Sequence, residues 1–141
     1  MQLRLTNLLI AVTAILALFS ASCKKEFSPD EPFTTTYSPT IFISSQNQFV
    51  YALDPQNGNK KWEFNAKANV QGSPLLLGDY LYVAAENGTL YKLDAKRGTE
   101  VKKYEFFTQL LSTPVGEGDF VYLGTGNDTM YCIDVKGDTL E

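Results

Sequence analysis

The chain has 141 residues, a formal net charge of −4 and no histidine, and its length suits one modest domain. The acidic balance and the lack of any long Lys/Arg block argue against nucleic-acid binding, because phosphate binding needs a basic patch. Without histidine the chain has no Ser-His-Asp set, and no phosphate-binding glycine loop is present. The eight tyrosines and nine phenylalanines, together with frequent valine and threonine, are typical of a β protein.

Residues 1–22 have the features of a cleaved export signal. Arg4 supplies a positive charge, residues 8–19 form an almost unbroken apolar run, and the small residues 20–22 precede Cys23. The run is short for a bilayer span but fits the core of a signal peptide. This order resembles the signal and lipobox of bacterial lipoproteins, although Ser20 stands where that family usually has leucine. The resemblance implies cleavage before Cys23, a lipid on Cys23 and anchoring to a membrane. The alternative is an ordinary secretory signal followed by an incidental cysteine.

Residues 23–40 are predicted to be a flexible tether that begins with the lipidated cysteine. Three prolines in this segment oppose regular strand pairing, and Ser, Thr, Asp and Glu fill the intervals between them. The end of the tether resembles the start of the later repeats, so a shortened first strand is expected near Thr36.

From Ile41 onward the sequence repeats without gaps, and a fixed period of this kind indicates a repeat architecture. Residues 73–94 align with residues 113–134, and residues 41–54 align with residues 81–94 in the same frame. The identical pairs in the longer alignment are Pro74/Pro114, Gly78/Gly118, Asp79/Asp119, Tyr82/Tyr122, Asn87/Asn127, Thr89/Thr129, Tyr91/Tyr131 and Asp94/Asp134. We therefore divide residues 41–141, with the end of the tether, into repeat units 36–66, 67–106 and 107–141.

Each repeat is predicted to form four short antiparallel strands. In the second unit these strands cover residues 70–77, 80–85, 89–94 and 101–106, with turns between them. Asn87 and Gly88 are expected to form a two-residue hairpin in which both take positive φ.

Residues 80–83 leave neither face of their strand polar, so both faces of the sheet must be covered. Neighbouring repeats provide such a cover in repeat proteins. Four strands per repeat with both faces covered predict an all-β fold built from β-propeller blades. The chain is long enough for two and a half to three blades of an incomplete ring, and the third blade is expected to lack its last strand.

A spaced motif closes the first repeat and recurs in the next two. Its members are Ala52, Asp54, Gly58 and Trp62 in the first repeat, Asp94 and Gly98 in the second, and Asp134 and Gly137 in the third. In the third repeat the glycine comes one place early, and in the second Lys102 stands where the first has tryptophan.

This motif, with the Asn-Gly and Gly-Asp turns, resembles the tryptophan-docking repeat of the quinoprotein, or PQQ-like, propellers over about residues 36–141. The resemblance implies that Trp62 packs flat between adjacent blades and that the Asp and Gly shape the turn between third and fourth strands. Such a turn suits these residue types, because Asp bonds to nearby backbone N–H groups and Gly takes the left-handed conformation.

The PQQ-like family contains both enzymes and non-enzymes. Its dehydrogenases bind pyrroloquinoline quinone and calcium in a complete propeller, often beside a vicinal cysteine pair, and no such pair occurs in this chain. The motif aspartates are explained first by turn structure, and residues 54–59 lack EF-hand spacing. We therefore predict no catalytic, cofactor-binding or metal-ligating residues, and we expect Cys132 to be a buried, inert thiol.

The non-enzyme branch includes acylated scaffold proteins of the outer-membrane β-barrel assembly machine. The resemblance therefore implies a membrane-anchored, non-catalytic lipoprotein scaffold in a Gram-negative-type cell envelope, with the periplasmic side of the outer membrane favoured. Its expected partners are the membrane, through the N-terminal lipid, and a protein, but no nucleic acid. Two alternatives stay open at this point: the N-terminal fragment of a PQQ-dependent dehydrogenase, and an extracytoplasmic glycan-binding lipoprotein.

Known propellers have about four to eight blades, so three repeats leave a blade face and strand edges uncovered. Either the chain is the N-terminal piece of a longer protein, or several copies self-associate through the exposed blade faces. The abrupt end favours the first explanation, because a natural end usually carries a polar cap.

Overall fold

The computed structural model describes residues 39–137 and the strand Thr139–Leu140. The expectations for the signal peptide, Cys23 and all but the end of the tether lie outside these residues. Within them every regular element is a β-strand, which confirms the all-β prediction. This part of the chain contains no helix long and apolar enough to cross a membrane.

The described strands form three antiparallel sheets. The first sheet holds β1 (Ile41–Ser44), β2 (Phe49–Leu53) and β3 (Lys60–Asn65). The second holds β4 (Leu75–Leu77), β5 (Tyr80–Ala85), β6 (Thr89–Asp94) and β7 (Glu100–Glu105). The third holds β8 (Val115–Glu117), β9 (Phe120–Gly124), β10 (Met130–Asp134) and β11 (Thr139–Leu140). In each sheet the strands lie side by side in chain order, which is the arrangement of a propeller blade.

Two strand predictions were wrong. The strand predicted at residues 70–77 is only Leu75–Leu77, because β5 pairs with these three residues alone and Pro74 has no N–H to donate. The third sheet does not lack its fourth strand, since β11 pairs with β10 through Ile133↔Leu140 and Asp134↔Thr139.

The hairpin between β5 and β6 also differs from its prediction. Ala85 pairs with Thr89, so the loop has three residues, and of Asn87 and Gly88 only Gly88 has a positive φ, of 87°. The repeat equivalents of Gly88 are Gln48 and Asp128, and they share this conformation with φ of 75° and 60°. Position in the loop therefore imposes the left-handed conformation in all three hairpins, whether or not the residue is glycine.

The core lies between the sheets and not within one of them. One apolar cluster joins the first sheet to the second through Val50, Leu81, Val83 and Leu93, each at 0% exposure. A second cluster joins the second sheet to the third and includes Tyr82, Leu90, Leu110, Val121 and Ile133. Both faces of β5 are thus buried, and each fully buried aliphatic side chain contributes about 1.5–3 kcal/mol. This confirms the expectation from the sequence that neighbouring blades cover both apolar faces of the second sheet.

Candidate functional site between the blades

Each motif aspartate closes a compact turn between the last two strands of its sheet. The Asp54 N–H donates to the Asn59 carbonyl over 2.8 Å, and the Gly58 N–H donates to the Asp54 carbonyl over 2.8 Å. The side chain takes part as well, because Asp54 Oδ1 accepts from the Gln56 N–H at 2.8 Å. Gly58 has a φ of 72°, a conformation that glycine adopts without a steric penalty.

The second turn reproduces the first. Asp94 bonds with Thr99 and Gly98 over 2.9 and 2.8 Å, and its Oδ1 accepts from the N–H groups of Lys96 and Arg97. Gly98 again has a φ of 72°. The first and second turns are therefore the same structure, one repeat apart.

The third turn departs from this pattern at its glycine. Asp134 Oδ1 accepts from the N–H groups of Lys136 and Gly137, both at 2.9 Å. Gly137 thus takes the place that Arg97 has in the second turn, and its φ is not positive. The repeat equivalent of Gly98 in the third turn is Asp138, which lies outside the described residues.

Trp62 connects the first sheet to the turn of the second. Its indole Nε1 donates to the Ala95 carbonyl over 3.1 Å, and its ring lies against Gly98. A Cβ added at Gly98 would lie 2.5 Å from both Cδ2 and Cε3 of the indole. Phe42 contacts the ring on its own sheet, with centroids 5.7 Å apart. Gly98 therefore serves two purposes at once, since it takes the left-handed conformation and leaves room for the indole.

At the second interface the hydrogen bond to the next blade comes from Lys92, which is the repeat equivalent of Ala52. Lys92 pairs across the strands with Lys102, as Ala52 pairs with Trp62. The Lys92 Nζ donates to the Val135 carbonyl over 3.1 Å, and Val135 is the repeat equivalent of Ala95. An ammonium group therefore replaces the indole N–H as the donor to the same carbonyl position of the next blade.

Burial supports this assignment of Lys92. The residue is only 7% exposed, and lysine is rarely buried to that extent unless its ammonium is paired. Its Nζ lies 4.7 Å from the centroid of the Tyr80 ring, a cation–π distance. Sequence reasoning missed Lys92. The signal was present, because lysine replaces both members of the Ala52–Trp62 cross-strand pair in the second repeat.

A cavity of about 350 Å³ opens beside this lysine between the second and third sheets. It is lined by Tyr82, Lys92 and Val135, among others. These are the repeat equivalents of Phe42, Ala52 and Ala95, the residues around Trp62. A lysine side chain is narrower than an indole, so the second interface keeps its hydrogen bond but leaves space that Trp62 fills in the first.

Cys132 is half-buried in β10, so the prediction of a buried thiol was wrong. It pairs across the strands with Tyr122. Burial raises the pKa of the Tyr122 hydroxyl, and the neighbouring Cys132 adds to the rise. The two side chains belong to the same face of the third sheet.

Among residues 39–137, no three Asp, Glu or Cys side chains come together as a metal-ligand set. Asp54, Asp94 and Asp134 each bond to the backbone of their own turn. The best-defined candidate site among the described residues is the pair of inter-blade hydrogen bonds made by Trp62 and Lys92.

The fold is shared with known propellers. The structure of BamB from Moraxella catarrhalis superposes with a TM-score of 0.65 at 20% identity, over 74% of this chain and 31% of that one. The quinohemoprotein alcohol dehydrogenase ADHIIG from Pseudomonas putida HK5 gives 0.68 at 16% identity, over 74% and 19%. The corresponding enzyme from Comamonas testosteroni gives 0.64 at 22% identity, over 70% and 18%. The chain thus spans less than a third of the length of each of these structures.

At the sequence level, no curated protein matches significantly. A PQQ-like family model described as outer membrane protein assembly factor BamB matches residues 27–105 and again residues 46–140. The two matches overlap and together include every described strand. The chain therefore belongs to the PQQ-like β-propeller family to which BamB belongs.

Proposed function

We propose that this protein is an exported, membrane-anchored lipoprotein that acts as a non-catalytic protein-binding scaffold in the envelope of a Gram-negative-type bacterium. The observation that carries the proposal is a conjunction. A lipobox-like segment ending at Cys23 precedes repeats that match the model of an outer membrane assembly factor. The chemistry of the described blades agrees, since their motif residues serve turns and inter-blade packing.

The anchor is tested with the variant Cys23→Ala. Stable anchoring by lipid requires two or more acyl chains or a second membrane signal. The native chain is expected in the membrane fraction after cell lysis, and Cys23→Ala, made with a cleavable secretory signal in place of residues 1–22, is expected in the soluble fraction. Cys132→Ala is the matched control and should partition like the native chain. Metabolic labelling with a fatty acid that marks the native chain but not Cys23→Ala supplies an independent readout. Equal partitioning of Cys23→Ala and the native chain would refute the anchor.

The scaffold role is tested by binding to a defined partner class. The family match names an outer membrane assembly factor, so the probe is the purified β-barrel assembly complex of the source organism. Saturable binding by the purified chain supports the proposal. Binding that is lost in the double variant Trp62→Ala, Lys92→Met, which removes both inter-blade hydrogen bonds, would place it on the stacked repeats. Absence of binding at about 100 µM chain, where even weak complexes form, would contradict this role.

The second candidate is a fragment of a PQQ-dependent dehydrogenase, because two of the structural neighbours are quinohemoprotein alcohol dehydrogenases. This alternative predicts saturable binding of pyrroloquinoline quinone in the presence of calcium, or dye-linked oxidation of an alcohol. Isothermal titration with the quinone and calcium measures the first and a dye-reduction assay the second. Either positive result would replace the scaffold with the enzyme fragment.

A further inference from the structure

The cavity of about 350 Å³ between the second and third sheets lies where the first interface holds the indole of Trp62. That indole contacts Phe42 and donates to the Ala95 carbonyl. The repeat equivalents of these two residues are Tyr82 and Val135, and both line the cavity. The cavity therefore has two of the walls that enclose an aromatic ring one repeat earlier.

The described strands do not supply a tryptophan ring for this cavity. The repeat equivalent of Trp62 is Lys102, and Trp62 is the only tryptophan in the sequence. The Lys102 ammonium lies 5.1 Å from the centroid of the Tyr104 ring on its own strand. A ring that enters the cavity from outside is not attached to β7, so it is not held against residue 138 as Trp62 is held against Gly98.

The lining of the cavity suits a small ring. Tyr82, Leu77 and Val135 provide aromatic and aliphatic walls, and Tyr82 is almost completely buried. Tyr80 also lines the cavity and is 38% exposed, so the cavity is open to solvent beside it. The volume is at the lower end of the range for small-molecule sites, about 300–1,000 Å³, which favours one or two fused rings over a larger ligand.

Lys92 gives the cavity a preference for an aromatic ring over an aliphatic one. Its ammonium lies 3.1 Å from the Val135 carbonyl oxygen and 4.7 Å from the centroid of the Tyr80 ring. All three residues line the cavity, so this buried ammonium is part of the wall. A desolvated ammonium attracts the face of an aromatic ring, and it attracts an indole most strongly.

We propose that this cavity binds a planar aromatic ring of the size of indole, supplied either as a free small molecule or as a tryptophan side chain of another polypeptide. The ring would occupy in the second interface the place that Trp62 occupies in the first, beside the Lys92 ammonium. The site goes beyond the scaffold function. Each can fail without the other, because ring binding and binding to the assembly complex are separate measurements.

The test is a titration of the full, isotope-labelled chain in one non-ionic detergent, followed by protein-detected NMR. The probes are indole, which is the free ring, and N-acetyltryptophanamide, which carries the ring on a peptide unit. Indole is expected to bind with a Kd below about 1 mM and to shift the amide signals of Tyr82 and Val135 but not that of Gly98. Binding of both probes would identify a polypeptide tryptophan as a possible source, and binding of indole alone would identify a free small molecule.

Three substitutions separate the cavity from the rest of the surface. Val135→Trp fills the cavity from its wall, leaves the backbone carbonyl that Lys92 binds, and should weaken indole binding at least tenfold. Val101→Trp is the matched control, because it adds the same side chain at an exposed position of β7 outside the cavity lining and should bind indole like the native chain. Lys92→Met keeps most of the volume but removes the ammonium, and should bind indole about fivefold more weakly.

A fourth variant tests the equivalence of the two interfaces. Trp62→Ala removes the ring from the first interface, so the chain should gain a second indole site that shifts the amide signals of Phe42 and Ala95. The dispersion of the amide signals shows whether each variant is folded.

The proposal is overturned if neither probe gives saturable shifts up to about 5 mM, or if a folded Val135→Trp chain binds indole as well as the native chain does. An unchanged affinity in Lys92→Met would overturn the preference for an aromatic ring. A folded Trp62→Ala chain without a second site would show that walls of this kind do not hold a ring.

Discussion

The contact between Trp62 and Gly98 shows how one residue pair carries both a turn and a blade interface. Gly98 needs a positive φ to close its own turn, and it needs to lack a side chain because the indole lies where a Cβ would be. Gly58 has the same φ of 72° but has nothing within 4 Å of an added Cβ. The two glycines therefore separate the conformational requirement from the packing requirement.

We predict that Gly98→Ala lowers the free energy of unfolding by about 2 kcal/mol more than Gly58→Ala does. Both alanines incur the cost of positive φ, but only the one at residue 98 overpacks against the indole. Urea unfolding of both variants measures the difference. In a Trp62→Ala background the two glycine substitutions should cost the same, because the clash is gone. A difference that persists in that background would mean that the indole is not the cause.

Lys92 is the second residue whose role crosses a blade boundary. We predict that Lys92→Met, which keeps most of the side-chain volume, lowers the free energy of unfolding by about 1 kcal/mol. The reason is that the Val135 carbonyl loses its donor, and an unsatisfied carbonyl carries a desolvation cost. Lys96→Met, at an exposed turn position, is the control and should change stability by less than about 0.5 kcal/mol. Equal effects from the two variants would show that water replaces the ammonium at no cost.

At the scale of the element, the tips of the three hairpins share one backbone conformation but carry different residues. Gln48 and Asp128 hold positive φ where the second hairpin has Gly88, although a side chain at such φ is strained. The flanking strands therefore impose a positive φ at the hairpin tip. Only the second hairpin has glycine there, the residue that adopts this conformation without strain.

Accordingly, Gln48→Gly is expected to raise the free energy of unfolding by about 1 kcal/mol, because glycine adopts the tip conformation without strain. Gln46→Gly is the control, since Gln46 has no positive φ and glycine there should be neutral or destabilising by up to about 1 kcal/mol. Thermal and urea unfolding report both changes. A loss of stability in Gln48→Gly would mean that the glutamine side chain makes a compensating contact.

A comparison of the repeats also explains why Lys102 can stand at the position of the docking tryptophan. A tryptophan at residue 102 would need a glycine at the position equivalent to Gly98 in the third repeat, and that position is Asp138. Where the second repeat lacks the tryptophan, the third turn also lacks the glycine that would accommodate it. The first and second interfaces are thus alternative solutions to one structural requirement, a donor for the carbonyl after the motif aspartate.

At the scale of the whole molecule, the same repeat position has different surroundings in different sheets. Leu81 is 0% exposed, whereas Ile41, its equivalent one repeat earlier, is 47% exposed. We predict that Leu81→Ala lowers the free energy of unfolding by about 2–5 kcal/mol, and that Ile41→Ala lowers it by less than about 1 kcal/mol. Urea unfolding of both variants measures the difference. Equal costs would mean that cover by a neighbouring blade does not set the contribution of this position.

The sequence by itself determined the repeat period, the bounds of β5 and β6, and the motif turns at Asp54 and Asp94. These features follow from local signals, namely apolar runs between turn residues and the spacing of Asp and Gly. The family resemblance supplied the contact of Trp62 with the next blade. All of these features depend on residues within one repeat or on the contact between two adjacent repeats.

Only the tertiary structure decided the rest, because it depends on which neighbour covers each face. β4 is short since strand length is set by its partner β5 and not by its own apolar run. Lys92 is buried because its ammonium finds the Val135 carbonyl of the next blade. Cys132 is half-exposed for the opposite reason, as no described sheet packs on its face. In a stack of near-identical blades, the same repeat position is core or surface according to whether another blade lies against it.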